Sequence, residues 1–273
     1  MIKVLVLGDV MGKIGRKALT KKLPDLRKKY NPDLVIVNCE NAAHGTGISL
    51  KTFREIIDAG ADFCTSGNHI WDKYEQLAEV LKDKELKNKL IRPANYKKVA
   101  KRKIGEGYKI LTIKKQKIAI INLMGRVFMK KEEEFLNPPL KTLDKILKDL
   151  KKQKVSTILI DMHAEATSEK QALGWYADGR VSLIWGTHTH VPTADMKILP
   201  KKTGYITDLG FIGAKESILG ESIEGAIESQ KKEKGIKHNP PEKGTALVQG
   251  IYAEIEKNKT VKIKQVLEEV EVA

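Results

Sequence analysis

Five short segments of this chain place nitrogen and oxygen donors directly behind apolar runs. Gly8 and Asp9 close "IKVLVLG", Glu40 and Asn41 follow "DLVIVN", and Gly67, Asn68 and His69 follow "ADFCTS". Asp161 and His163 end "STILIDMH", and "RVSLIWG" runs into Thr187, His188, Thr189 and His190. One histidine behind an apolar run also reads as a structural residue. Five such ends together are hard to explain as core packing, because each buried polar group needs its own partner. Of the six histidines in the chain, His44 and His238 stand outside these ends, and His44 adjoins one. In an extended segment alternate side chains share a side, so His188 and His190 are expected to face one cluster. Carboxylates, amides and imidazoles suit iron, manganese or zinc better than a soft thiolate site would. The donors outnumber the needs of one tetrahedral ion. Two ions bridged by a carboxylate, about 3.5 to 4 Å apart, form the arrangement that hydrolyses phosphate esters.

The elements that must position these groups alternate in the first half. Strands over 2 to 8, 33 to 38 and 61 to 66 are interleaved with helices over about 15 to 30, 49 to 58 and 72 to 84. That rhythm argues for α/β layering, and in open α/β sheets ligands bind beyond the carboxyl ends of the strands. Residues 108 to 125 read as a hairpin turning at "KKQK", and a helix over about 138 to 152 is opened by "NPP", where proline suits the first turn. A strand over 156 to 163, a helix over 168 to 176 capped by Thr167, and a strand over 180 to 186 follow. "MKILP", "GYITD", "GTALVQGIYAEI" and "KTVKIKQVLEEV" suggest a β-rich final third. The expected architecture is one domain over 1 to 273, two packed sheets flanked by helices.

With 273 residues and 41% hydrophobic content the chain can bury a sizeable core. Its first apolar run is broken by Gly8, Asp9 and Gly12, so it reads as a strand and not a leader. No stretch reaches the roughly 18 apolar residues of a membrane span. Cys39 and Cys64 sit in apolar runs without CxxC spacing and read as free buried thiols, which fits a cytoplasmic protein. Cys39 should alternate away from Glu40 into the core. A net charge of +15 invites nucleic acid. The basic clusters are scattered, however, and aromatics, only 5% of residues, do not interleave with them. RNA is therefore a secondary partner here, behind a phosphorylated small molecule. "GDVMGKIG" lacks the spacing and the Ser/Thr of a phosphate loop, and there is no GxSxG elbow.

Taken together, "GD", "GNH", a lone His after a strand and "GTHTH" resemble the calcineurin-like metallophosphoesterases. "NCENAAHGTG", "GNHIWDK", "RPAN", "INLMGR", "DMHAEATSEKQALGWYADGR", "GTHTHVPTAD" and "YITDLG" resemble one bacterial branch, the YmdB-type 2',3'-cyclic-nucleotide phosphodiesterases. The resemblance implies a four-layer α/β sandwich, two mixed β-sheets flanked by helices, with a dinuclear centre in which iron is expected and manganese or zinc would serve. It implies that Asp9, Asn41 and His190 hold the first ion, that Asn68, His163 and His188 hold the second, and that Glu40 bridges both. His69 would then protonate the leaving oxygen after attack by a metal-activated hydroxide. Met11 stands where the wider superfamily has a histidine and Glu40 where it has an aspartate, so Asn41 would supply the donor that Met11 cannot.

The substrate so implied is a small phosphodiester, a cyclic nucleotide. A phosphomonoesterase or nuclease on the same site, or a regulatory RNA-binding protein, are the alternatives. Arg126, Arg180 and His44 are candidates for holding a substrate phosphate, and Trp175 and Tyr176 read as helix-to-core packing or as a base platform. No membrane partner is expected, and self-association is compatible with the chain.

Overall fold

The computed structural model describes residues 1–273 except 100, 101, 103, 130, 131 and 233–238, so His238 lies outside the described residues. Alternation within the strands decides the layering. In β1 (Ile2–Val10) Val4 and Val6 face one side and Leu5 and Leu7 the other, all fully buried. A strand buried on both faces must be covered on both, and here one cover is a second sheet. The first sheet runs β12 (Lys259–Val272), β11 (Gly244–Glu256), β10 (Phe211–Ala214), β1, β2 (Leu34–Asn38), β3 (Phe63–Thr65). The second runs β4 (Tyr108–Ile113), β5 (Gln116–Met124), β6 (Thr157–His163), β7 (Leu183–Thr187), β9 (Gly204–Ile206), β8 (Lys197–Ile198). Val4, Val6, Ile36, Ile118, Ile120, Leu159 and Trp185 pack between the sheets.

Helices α1 (Gly12–Tyr30), α2 (Leu50–Asp58) and α3 (Tyr74–Lys82) cover the outer face of the first sheet through Leu19, Leu23, Phe53 and Val80. Helices α4 (Pro139–Lys152) and α5 (Thr167–Ala177) cover the second through Leu143, Leu150 and Leu173. The expected four layers, helix, sheet, sheet, helix, are the observed ones. Each fully buried aliphatic chain contributes on the order of 1.5–3 kcal/mol. The register matters most for chemistry. Asp9 pairs with Asn38, Met124 with His163, and His163 with Thr187, so neighbouring strands end level.

Several boundaries differ from the sequence reading, each for a local reason. The β4–β5 turn is the two-residue Lys114-Lys115, both left-handed (φ 48° and 64°), as a tight hairpin requires. The helix expected over 72 to 84 is α3, shorter at both ends and preceded by a 3-10 turn at Asn68–Trp71. Ala166, not Thr167, caps α5, and no side chain closes that cap. The β-rich final third also contains a helix, α6 (Ile223–Lys232), in a stretch for which no element was expected. On α5 the core side is Leu173 and Ala177, which leaves Trp175 59% and Tyr176 41% exposed, so neither packs into the core. Among the described residues no helix is long and apolar enough to cross a membrane.

Candidate active site

The level strand ends bring the five polar segments together. Glu40, two residues past β2, is buried between the sheets' carboxyl ends. Its Oε1 lies 3.0 Å from His163 Nε2, and its Oε2 accepts from the His69 backbone N at 2.9 Å. The loop carrying Asn68 is fixed to β5, because Ser66 N donates to Asn122 Oδ1 at 3.1 Å. Gly67 has no alternative here: a Cβ at that position would overlap both His163 Nε2 and Glu40 Oε2.

Hydrogen bonds on the far nitrogens determine which nitrogens face the centre. Thr187 Oγ1 donates to Asp161 Oδ1 at 2.7 Å, so it accepts from His163 Nδ1 at 2.9 Å. Burial pushes the His163 imidazole down to about 4, so the ring is neutral and Nε2 presents a lone pair. His188 Nε2 is paired with Glu165 Oε2 at 3.0 Å, which turns Nδ1 toward the centre. That Nδ1 stands 3.1 Å from His163 Nε2, and Asn68 Oδ1 stands 3.0 Å from the same His163 nitrogen. Four potential ligand atoms, from Glu40, Asn68, His163 and His188, thus gather around one point. Separations of about 3.0 Å are those of ligands at right angles around one ion at about 2.1 Å. Glu40, His163 and His188 alone offer three ligand atoms within 4.8 Å of one another. Burial alone would raise Glu40, but in the acid range where it titrates the protonated His163 and His69 outweigh burial and hold the carboxylate down to about 2.

A second group lies close enough to Glu40 for its charge to act on Asp9. Asp9 ends β1, fully buried, with His190 Nε2 3.8 Å from its Oδ1 and the His188 backbone N donating to its Oδ2 at 3.3 Å. His190 Nδ1 donates to the Leu219 carbonyl at 2.9 Å, so its Nε2 presents a lone pair toward Asp9. Burial, then the negative charges of Glu40, Asp208 and Asp161, push Asp9 well above the usual carboxylate range. Among the described residues Asp9 Oδ1 and Asn41 Oδ1 are buried without a hydrogen-bond partner. Orphaned oxygens beside an uncompensated carboxylate are what a cation would satisfy.

His188 and His190 do not lie on an extended strand. β7 stops at Thr187, and both histidines are left-handed (φ 94° and 58°), so His188 turns to His163 and His190 to Asp9. The reason is an anchor at the residue between them. Thr189 N and Oγ1 donate to Asp208 Oδ2 at 3.3 and 2.7 Å, and the buried Lys170 Nζ donates to the same oxygen at 2.7 Å. His69 sits at the rim, with Nδ1 2.7 Å from Asp72 Oδ2. Burial opposes its charge, yet the Asp72 hydrogen bond and the Glu40 carboxylate outweigh that and lift it to about 8.

The sequence model of the family described as YmdB-like protein matches residues 5–266. The chain belongs to the YmdB-like family. It is 41% identical over 268 residues to the 2',3'-cyclic-nucleotide 2'-phosphodiesterase of Bacillus subtilis (strain 168), covering 97% of each chain. A structure described as a novel phosphatase from Mycoplasma pneumoniae superposes with a TM-score of 0.89 at 36% identity, covering 99% of this chain and 94% of that one. A hypothetical protein from Thermus thermophilus gives 0.88 at 36% identity, covering 98% and 99%.

In this YmdB-like chain all eight expected site residues, Asp9, Glu40, Asn41, Asn68, His69, His163, His188 and His190, reach the same end of the two sheets. The phosphate candidates divide. Arg126 follows Gly125, whose N donates to the His163 carbonyl at 2.9 Å, so it stays beside the site. Arg180 is a correction: it precedes β7 at the opposite end, pairs with Asp144 and stacks on Tyr176 at 4.9 Å, so it cannot reach a phosphate here. His44 is exposed on its loop, left-handed at φ 57°. Cys39 points into the core as expected, and both cysteines are free and buried. The sequence reading missed Glu165, Thr187, Asp72, Lys170 and Asp208. Only Asp72 carried a local signal, standing three residues after His69 in one turn.

Proposed function

We propose that this chain is a metal-dependent phosphodiesterase acting on cyclic nucleotides, with 2',3'-cyclic nucleotides as the preferred class. The observation that carries the reading is the convergence of Glu40, Asn68, His163 and His188 on one point, beside the orphaned oxygens of Asp9 and Asn41. The donor set fits two cations: Asn68, His163 and His188 for one, Asp9, Asn41 and His190 for the other, and Glu40 between them. Hard and borderline donors without thiolate favour iron, with manganese or zinc able to replace it. When bound, such ions supply Lewis acidity toward phosphate oxygens and a nucleophile from water at neutral pH.

The chain's own residues do the rest. His69 commits Nδ1 to Asp72, so the proton it can deliver is on Nε2, and its backbone is fixed to Glu40. Opening the cyclic phosphate replaces one ribose oxygen on phosphorus by one from water, and His69 passes its proton to the departing oxygen. The substrate class is supported by the name of the Bacillus subtilis relative. The Mycoplasma pneumoniae structure, described as a phosphatase, favours a monoesterase as the second reading. A panel of 2',3'-cAMP, 3',5'-cAMP, p-nitrophenyl phosphate and short RNA, with manganese or iron and with EDTA, separates them. Turnover of 2',3'-cAMP above the others, lost in EDTA, is expected; no EDTA-sensitive hydrolysis of any substrate would sink the proposal.

A further inference from the structure

At the amino ends of the second sheet, away from all eight site residues, a cleft of about 900 Å³ is lined by Lys148, Lys151 and Lys154 over Leu147 and Val155. A second cleft of about 650 Å³ carries Lys115, Lys117 and Lys257 and shares Lys154, Ser156 and Asn258 with the first, so the two form one groove. β6 separates this groove from His163 by about 20 Å, the length of its seven residues at roughly 3.3 Å each.

Some lysines elsewhere on the surface are neutralised by a carboxylate, and those of this groove are not. Lys29 pairs with Glu268, Lys215 with Glu269 and Lys262 with Glu254. Among the described residues Lys115, Lys148, Lys151, Lys154 and Lys257 form no ion pair with a carboxylate; of the two acids lining the groove, Asp144 is taken by Arg180 and the Tyr176 hydroxyl, and Glu256 forms no ion pair with these lysines. Three of them also occupy left-handed turn positions, Lys115 at φ 64°, Lys154 at 57° and Lys257 at 47°. Such positions favour glycine or asparagine, so positive charge is present there against backbone preference. The frame beneath is rigid: Ser156 and Thr157 hydroxyls donate to Asn258 Oδ1 at 2.9 and 2.8 Å, clasping the β11–β12 turn to β6.

We propose that this groove holds the phosphate backbone of single-stranded RNA. Unpaired ammonium groups delivered by several chain segments along one groove suit a chain of phosphates, and no aromatic side chain lines it, so binding tracks the backbone and not the bases. The choice of RNA over an acidic peptide rests on the proposed activity, because a 2',3'-cyclic phosphate forms when a ribose 2'-hydroxyl attacks the adjacent phosphodiester of an RNA strand.

The test is fluorescence anisotropy of a labelled oligouridylate of about 20 nucleotides, titrated with the full chain in EDTA so that cleavage cannot contribute. Binding should weaken with salt by about 0.7 in log–log slope per phosphate neutralised. The K115G/K154G/K257G variant removes three charges at positions where glycine is at ease. It should bind at least about tenfold more weakly, with a slope shallower by roughly 2, while its unfolding temperature does not fall. K29Q/K215Q/K262Q removes the same charge from the paired set and should bind within about twofold of the parent. Equal losses in both variants, or no binding by the parent chain at low salt, would overturn the proposal. So would displacement of the RNA by polyglutamate as readily as by unlabelled RNA, which would assign the groove to an acidic peptide. Turnover of 2',3'-cAMP is read separately, so loss of the enzymatic reading and loss of this one give different results.

Discussion

The two halves of the polar cluster are built to different tightness. Around His163 Nε2, Glu40 and Asn68 stand at 3.0 Å and His188 at 3.1 Å. His163 is held from behind by Thr187, His188 by Glu165, and Glu40 by the His69 backbone. Around Asp9, His190 stands back at 3.8 Å, and two oxygens have no partner. The crowded half gathers its ligand atoms within about 3 Å of one nitrogen; the loose half leaves its own apart and unsatisfied. Preorganisation by outer hydrogen bonds raises affinity, so the crowded position should fill first and release its ion last.

The largest test of that contrast is loss of the shared nitrogen. His163→Ala should remove the tighter ion and lower kcat on the order of 10³-fold or more. Asp9→Asn should instead empty only the weaker position, leaving about one ion per chain by elemental analysis. Equal ion loss in the two variants would erase the distinction. His69→Ala should cut kcat by about 10² to 10⁴ while both ions stay, because His69 belongs to neither half. If that variant loses metal, the proton-donor role is wrong. Lys170→Met acts on the link between the halves. It leaves Asp208 buried without its cation, which destabilises by about 3–5 kcal/mol, and it removes the Lys170 bond to Thr189 Oγ1 at 3.2 Å, so that Asp208 alone holds Thr189 between His188 and His190. Thermal unfolding should show the destabilisation and metal titration a weakening at both positions, unlike the ligand variants.

The sequence makes one kind of information legible and hides another. Asp9, Glu40 and His163 could be placed because apolar alternation marks the strands, and parallel strands deliver their carboxyl ends together. The four-layer architecture followed from the same signal, since β1 and β6 are apolar on both faces. The partners behind the ligands were hidden because they depend on which strand lies beside which. Thr187 reaches His163 only through the β6–β7 register, and Lys170 reaches Asp208 across 38 residues. The same ignorance of direction misplaced Arg180, whose position at the start of β7 puts it at the wrong end. His188 and His190 looked like alternate residues of a strand because nothing local reveals that Asp208 seizes Thr189 between them. α6 was missed because its apolar residues, Ile223, Ala226 and Ile227, are few and only Ala226 is buried.

The smallest expected effect tests whether the crowded half owes its tightness to tautomer control. Thr187 Oγ1 gives its proton to Asp161 and so can only accept from His163 Nδ1, which leaves Nε2 as the acceptor at the centre. Thr187→Val preserves shape but removes both bonds, so Nε2 carries the proton in part of the population and competes with the ion. Outer partners of this kind typically change metal affinity about 10- to 100-fold, and the loss should fall on the tighter position alone. Thr187→Ser, which restores the hydroxyl, should recover affinity. If valine weakens both positions equally, or serine fails to restore the first, the order between the halves comes from packing and not from the Asp161–Thr187–His163 chain.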